Sequence, residues 1–207
     1  MIFTDRREAG RKLGEALGKR PEALLLAIPR GGVIVAAAAS PATGGILDVI
    51  VPRKLGAPIN PELGIGAVAP DGTTVLDERL VRTLGVDDEY IAKEVGRQLG
   101  EIHRRVDLYR AGRRPLEVAG KEVIVVDDGV ATGGTAEVAL RSLRSQGARS
   151  VTLAVPVAPR ETIARLNEVA DEVVVLSTPE PFAAVGQWFN HFPQVSDDEV
   201  LDALRNG

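Results

Sequence analysis

The sequence predicts an α/β fold in which a central parallel sheet is covered by helices on both faces. Three observations carry this. Beyond residue 121, short β-branched apolar runs alternate with helix-length segments. Leu24–Ile28 and Leu47–Val51 are apolar almost throughout, as strands buried on both faces are, and they end at Pro29 and Pro52. The chain has 207 residues, 44% of them hydrophobic, enough for one compact domain or one with an added lobe.

Taken in order, residues 5–18 place Ala9, Leu13, Ala16 and Leu17 on one stripe, an amphipathic helix. The first strand, Leu24–Ile28, runs into Gly31-Gly32, and Val33–Ala39 suits a buried helix. The second strand, Leu47–Val51, is followed at 56–70 by dense glycine and proline, as in a hairpin or mobile loop. Residues 78–84 and 87–110 read as helices, the second capped within Val86-Asp87-Asp88. Then come a strand at 122–126, a helix at 135–146, a strand at 150–155, a helix at 160–168 and a strand at 172–176. The final helix, 196–204, opens with Ser196 and Glu199 at capping-box spacing.

Composition narrows the function. There is no cysteine, which removes disulfides, thiolate nucleophiles and Cys-ligated metals, and two histidines, His103 and His191, cannot make a multi-histidine centre. A net charge of −4 argues against a nucleic-acid role driven by overall basicity. No segment approaches the ~18 apolar residues of a membrane helix. The first residues lack the pattern of a signal peptide, so a soluble cytoplasmic protein is expected.

The chemistry is concentrated in Val125-Val126-Asp127-Asp128-Gly129-Val130-Ala131-Thr132-Gly133-Gly134-Thr135. An apolar strand ends in two carboxylates, crosses a small Gly/Thr loop and enters a helix. Ligands of open α/β sheets bind beyond the carboxyl ends of the strands, and amides of a glycine-rich loop opening a helix suit a phosphate. The carboxylates would repel that phosphate, so their better partners are vicinal hydroxyls or a metal arriving with the ligand. A phosphorylated sugar meets both demands. A P-loop is disfavoured because no Gly-Lys-Ser/Thr follows the glycines.

This run resembles the type I phosphoribosyltransferases, whose signature is an acidic pair followed by a Thr-Gly-rich phosphate loop. The resemblance implies a Rossmann-like sheet over residues 1–207, with a flexible hood inserted at about 55–117 and a C-terminal cap at about 178–207. It implies transfer of ribose 5-phosphate from phosphoribosyl pyrophosphate to a nitrogenous base, with magnesium, held mostly through the substrate, at Asp127 and Asp128. The alternative is a relative that senses phosphoribosyl pyrophosphate or a nucleotide without turning it over. Asp127, Asp128, Gly129, Val130, Ala131, Thr132, Gly133, Gly134 and Thr135 would hold the ribose 5-phosphate. Ile28-Pro29-Arg30-Gly31-Gly32 is similar to the family's pyrophosphate loop, so Arg30, Gly31 and Gly32, with Arg53 and Lys54, are expected at the pyrophosphate.

Within the hood, Glu101, Arg104 and Arg105 are candidates for catalysis, with Glu101 or His103 as a base. Four of the seven aromatics fall at Phe182, Trp188, Phe189 and Phe192. Purine-type relatives have a similar segment after the last strand, so Phe182, Val185 and Trp188 are expected at the acceptor. Ala131 stands where relatives acting on 6-oxopurines carry an aspartate, so a hypoxanthine or guanine preference is not implied. Expected partners are therefore phosphoribosyl pyrophosphate and a small-molecule base, with no nucleic acid and no membrane; the family resemblance admits a homodimer.

Overall fold

The computed structural model describes residues 1–207. Five parallel strands form the central sheet: β1 (Leu24–Ala27), β2 (Ile46–Val49), β6 (Glu122–Val126), β7 (Ser150–Val157) and β8 (Glu172–Ser177), in the order β2-β1-β6-β7-β8. Leu24 pairs with both Ile46 and Val123, so the sheet is wound outward in both directions from the β1/β6 boundary. That boundary is the topological switch point, where the loops leaving β1 and β6 diverge and open a crevice.

Alternate strand residues feed two cores. Leu25, Ala27, Ile124 and Val126 face α1 (Arg6–Leu17) and α2 (Gly31–Thr43). Leu24, Leu26, Val123, Val125 and Leu153 face α5 (Gly134–Ser145) and α6 (Arg160–Leu166). The strict alternation is the pleat, and its burial on both sides explains the continuous apolar runs.

The stripe expected on α1 is only partly right. Ala16 is exposed, and Gly10 and Gly14 are buried in its place. A Cβ on Gly10 would lie 2.3 Å from the Val35 carbonyl oxygen, so these glycines let α1 rest on the backbone of α2. The second helix also outlasts its expected end, running through Pro41 to Thr43 before Gly44 closes it in the left-handed conformation (φ 71°).

Of the two forms expected for residues 56–70, the hairpin is the one observed, and it extends over 53–76. These residues form an antiparallel sheet of β3 (Arg53–Ala57), β4 (Asn60–Val68) and β5 (Thr74–Leu76), irregular in register near Gly56. The helices α3 (Glu78–Leu84) and α4 (Asp88–Arg110) follow. This lobe is not detached. Leu55, Ile65, Ile102 and Tyr109 belong to the same core as α1 and α2, and Arg110 pairs with the buried Asp48 of β2 at 3.2 Å. A 3-10 turn (Val185–Trp188) and α7 (Asp197–Asn206), with its capping box in place, complete the chain. No helix is long and apolar enough to cross a membrane.

Candidate functional site

At the switch point lies a cavity of about 870 Å³. The loop after β1 and the loop after β6 form its floor, β3, β4 and α4 form one wall, and residues 192–195 form the other.

Helix N-termini distinguish this cavity. The helices α1, α3, α4 and α7 are each capped by a side chain, from Asp5, Asp77, Asp87 and Ser196. The two that open onto the cavity, α2 and α5, have no side-chain cap; α6, which starts after Pro159, is the other such helix. The first amides of a helix lack intrahelical partners and carry the positive end of its dipole. Two such ends facing one crevice suit a ligand with two separate anionic groups.

Between them stand Asp127 and Asp128 at the end of β6, both half-buried. The Asp128 amide donates to Asp127 Oδ1 at 2.8 Å. Burial, and then the neighbouring Asp128 charge, pushes Asp127 well above the usual carboxylate range. Burial raises Asp128 as well, opposed by Arg6, whose Nε donates to Asp128 Oδ2 at 2.7 Å. Glycine at position 31 is what lets α2 approach this pair. A Cβ there would fall 1.8 Å from Asp128 Oδ2, and one on Gly32 would fall 2.7 Å from the Val126 carbonyl oxygen.

Further cations line the same cavity. Arg30 lies in the cavity wall, 4.0 Å from Asp197 Oδ1. Asp197 in turn accepts from the buried Tyr109 hydroxyl at 2.6 Å, and burial followed by this bond pushes that phenol up to about 12. Arg53 donates to Gln98 Oε1 at 2.9 Å, and Gln98 donates to Glu94 at 2.8 Å, so the amide of Gln98 is oriented to receive the guanidinium. Burial, then the nearby Arg105 charge, lowers the Arg53 pKa. Positive charge crowded in this way favours an anionic ligand.

Of the residues expected from sequence, Arg30, Gly31, Arg53, Lys54, Asp127–Gly133, Thr135 and Val185 meet in this one cavity. Gly32 and Gly134 are not part of its lining. Glu101, Arg104 and Arg105 are not brought to it either. They pair with one another on α4, at 2.8 Å for Arg104 and 2.7 Å for Arg105. Those two guanidiniums hold the Glu101 carboxyl down at about 2, so it is a poor proton acceptor. His103 is exposed and also lies outside the lining.

Phe182 and Trp188 stack on each other, with centroids 6.2 Å apart, instead of turning to the cavity. The aromatic ring that does line the cavity is Phe192, already engaged by the Arg6 guanidinium at 3.6 Å and by Phe189 at 4.8 Å. Sequence reasoning missed Arg6, Glu94, Arg97 and Gln98. The last three share helical spacing that could have been read as one face of α4; nothing local marks Arg6.

The Phosphoribosyl transferase domain family matches residues 6–186. A Mycobacterium tuberculosis protein provisionally named a phosphoribosyl transferase is 43% identical over 205 residues, covering 98% of this chain and 46% of that protein. The chain thus spans about half the length of the curated relatives it matches most extensively. A ribose-phosphate pyrophosphokinase of Thermococcus kodakarensis is 30% identical over 149 residues, 69% of this chain and 50% of its own length. Among solved structures, TT1426 from Thermus thermophilus superposes with a TM-score of 0.83 at 43% identity, covering 99% of this chain and 98% of that one. A Neisseria gonorrhoeae protein solved with ppGpp bound shares the fold at 16% identity and a TM-score of 0.50, over 99% of this chain and 97% of its own. The chain belongs to the phosphoribosyl transferase domain family, with the α/β fold of its type I members.

Proposed function

We propose that this chain moves the 5-phosphoribosyl group from phosphoribosyl pyrophosphate to a nitrogen nucleophile and releases pyrophosphate. The observation that carries the reading is the pair of uncapped helix N-termini, α2 and α5, on either side of an acidic pair in one crevice. The donor has a matching layout, with a phosphate at each end and a ribose diol between.

In this arrangement the amides of Thr132–Thr135 and the hydroxyls of Thr132 and Thr135 take the 5′-phosphate. Asp127 and Asp128 accept hydrogen bonds from the ribose hydroxyls and fix the anomeric carbon. Arg30, Arg53, Lys54 and the start of α2 receive the pyrophosphate as the anomeric C–O bond breaks. The acceptor nitrogen then bonds to an oxocarbenium-like carbon from the opposite face. Val185 and residues 192–195 are the wall nearest the acidic pair on the other side from β3, and we assign the acceptor to that side. Ala131 offers no carboxylate to a purine N7, so hypoxanthine and guanine have no special claim on the site.

Magnesium fits the donor set. Two adjacent carboxylates with no third acidic or histidine ligand match a hard cation that keeps its waters and shares phosphate oxygens with the substrate. Asp127 and Asp128 would hold it, and bound there it would neutralise the departing pyrophosphate.

The test is a screen of bases and amines with phosphoribosyl pyrophosphate and magnesium, following pyrophosphate release. Release that depends on one acceptor supports transfer. Tight donor binding with no release under any acceptor would favour the sensing alternative, and absence of binding would overturn both.

A further inference from the structure

We propose that Thr162 and Arg165 of α6 are positioning residues that aim the phosphate loop, by holding the carbonyls of Ala131 and Thr132 on the side away from the cavity. The inference rests on the reading of that loop as the 5′-phosphate site.

Thr162 Oγ1 donates to the Ala131 carbonyl at 2.7 Å, and Arg165 Nη2 donates to the Thr132 carbonyl. Both peptides that follow these carbonyls are trans. In a trans peptide the C=O and the next N–H point in opposite directions. Fixing the Ala131 oxygen on α6 therefore turns the Thr132 amide away from α6, and fixing the Thr132 oxygen does the same for the Gly133 amide. Ala131, Thr132 and Gly133 line the main cavity, whereas Thr162 and Arg165 do not; both border a recess that meets the loop at Ala131 and Thr132, and Arg165 also borders a neighbouring cavity with Thr132, Gly134, Thr135 and Lys54. At Ala131 and Thr132 the loop thus stands between Thr162 and the main cavity.

Further contacts make the arrangement specific. Thr162 is 5% exposed, so its hydroxyl has little recourse to water. Arg165 is itself held by Glu137 at 2.8 Å, and the Glu137 side chain is only 9% exposed. A Cβ on Gly133 would lie 2.9 Å from Thr162 Cγ2 and 3.0 Å from Arg165 Nη2, which shows how closely α6 backs the loop. The Thr132–Gly133 peptide rotates at little cost because glycine accepts either sign of φ. A rotated peptide here would present a carbonyl oxygen, not an amide, to an anion. Two donors from α6 remove that alternative before the ligand arrives, which is preorganisation of the donor array.

The experiment measures ribose 5-phosphate and pyrophosphate affinity by calorimetry for wild type, Thr162→Val, Thr162→Ser and Arg165→Met, with amide chemical shifts of residues 132–135 recorded alongside. Thr162→Val should weaken ribose 5-phosphate binding by about tenfold, the scale of one hydrogen bond, and leave pyrophosphate binding within about twofold. Thr162→Ser restores the hydroxyl and should recover most of the loss. Arg165 is 48% exposed, and without it Glu137 keeps Arg141 at 3.0 Å, so Arg165→Met tests the same point in a second variant, with its fold checked by far-UV spectrum. Wild-type affinity in both Thr162→Val and Arg165→Met, or a Thr162→Ser protein no better than Thr162→Val, would overturn the inference while the phosphate site stands. A wild-type protein whose 132–135 amides do not respond to ribose 5-phosphate would overturn the phosphate site and the inference together.

Discussion

Replacing Arg6 by methionine should destabilise the protein in a way that depends on pH. The Arg6 and Asp128 side chains are 9% and 16% exposed and meet at 2.7 Å. Arg6 also donates to the Pro193 carbonyl at 2.8 Å and covers the Phe192 ring. Methionine keeps much of the length and packs well on an aromatic ring, so the loss is mainly that of the charge. Removing one partner of a buried pair costs about 3 kcal/mol or somewhat more. At this chain length, 3 kcal/mol is a fall in Tm of roughly 6–12 °C. Burial already raises the Asp128 pKa and Arg6 opposes it, so Asp128 rises further in the variant. The native state then keeps a proton that the unfolded chain releases above about pH 4, and stability falls as pH rises through that range. The penalty should be about 3 kcal/mol at pH 7 and smaller at pH 4, where protonation relieves the carboxylate left without its partner. Urea denaturation at both pH values reads this directly. An equal penalty at both, or no relief when Asp128→Asn is combined with Arg6→Met, would refute the reasoning.

Replacing Asp127 and Asp128 together by asparagine should weaken phosphoribosyl pyrophosphate binding by about 2–3 kcal/mol with the far-UV spectrum intact, because charge-assisted bonds to the diol are lost; unchanged calorimetric affinity would remove the acidic pair from the site. Gly133→Ala should cost about 1–2 kcal/mol in thermal unfolding, since φ is +81° and the new Cβ strikes Thr162. It should also abolish ribose 5-phosphate binding by shifting the loop, not by filling the cavity; a variant that binds normally would contradict this. Hydrogen exchange should slow at the β3–β4 tip, where Ile59 is 86% exposed, when phosphoribosyl pyrophosphate and magnesium are added. The Ile102–Tyr109 stretch of α4 should be protected in the free protein, and fast exchange there would show that the helix is not anchored.

Much of the architecture is legible because it is local. Val123–Val126 is a strand by its side chains alone, and the Asp127–Thr135 run places acids, amides and hydroxyls within a few residues of one another. The Glu101–Arg105 ion pair is equally visible as an i,i+4 spacing, yet spacing does not say whether such a pair faces a ligand or only itself. What escaped were contacts that close over long distances. Arg6 meets Asp128 across 122 positions and Pro193 across 187, and no periodicity records either. The aromatics show the same limit. Their clustering at 182–192 is plain, but which ring faces the cavity depends on Phe3 and Arg6, which reach them from the other end of the chain. The glycines of α1 look like helix weaknesses until α2 is laid against them.

The bonds of Arg6 also bear on the order in which the molecule is made. Its guanidinium joins α1 to the end of β6 and to the Pro193 carbonyl just before α7, so this corner is assembled only once residue 193 has been synthesised. Until Pro193 arrives, the guanidinium that opposes the burial-driven rise of the Asp128 pKa has no fixed seat. Closing so long a loop adds only slowly growing entropy, but it must be met before the contact contributes anything. The sheet and its two cores can therefore form from nearer neighbours, while completion of the cavity wall waits on residues 192–195.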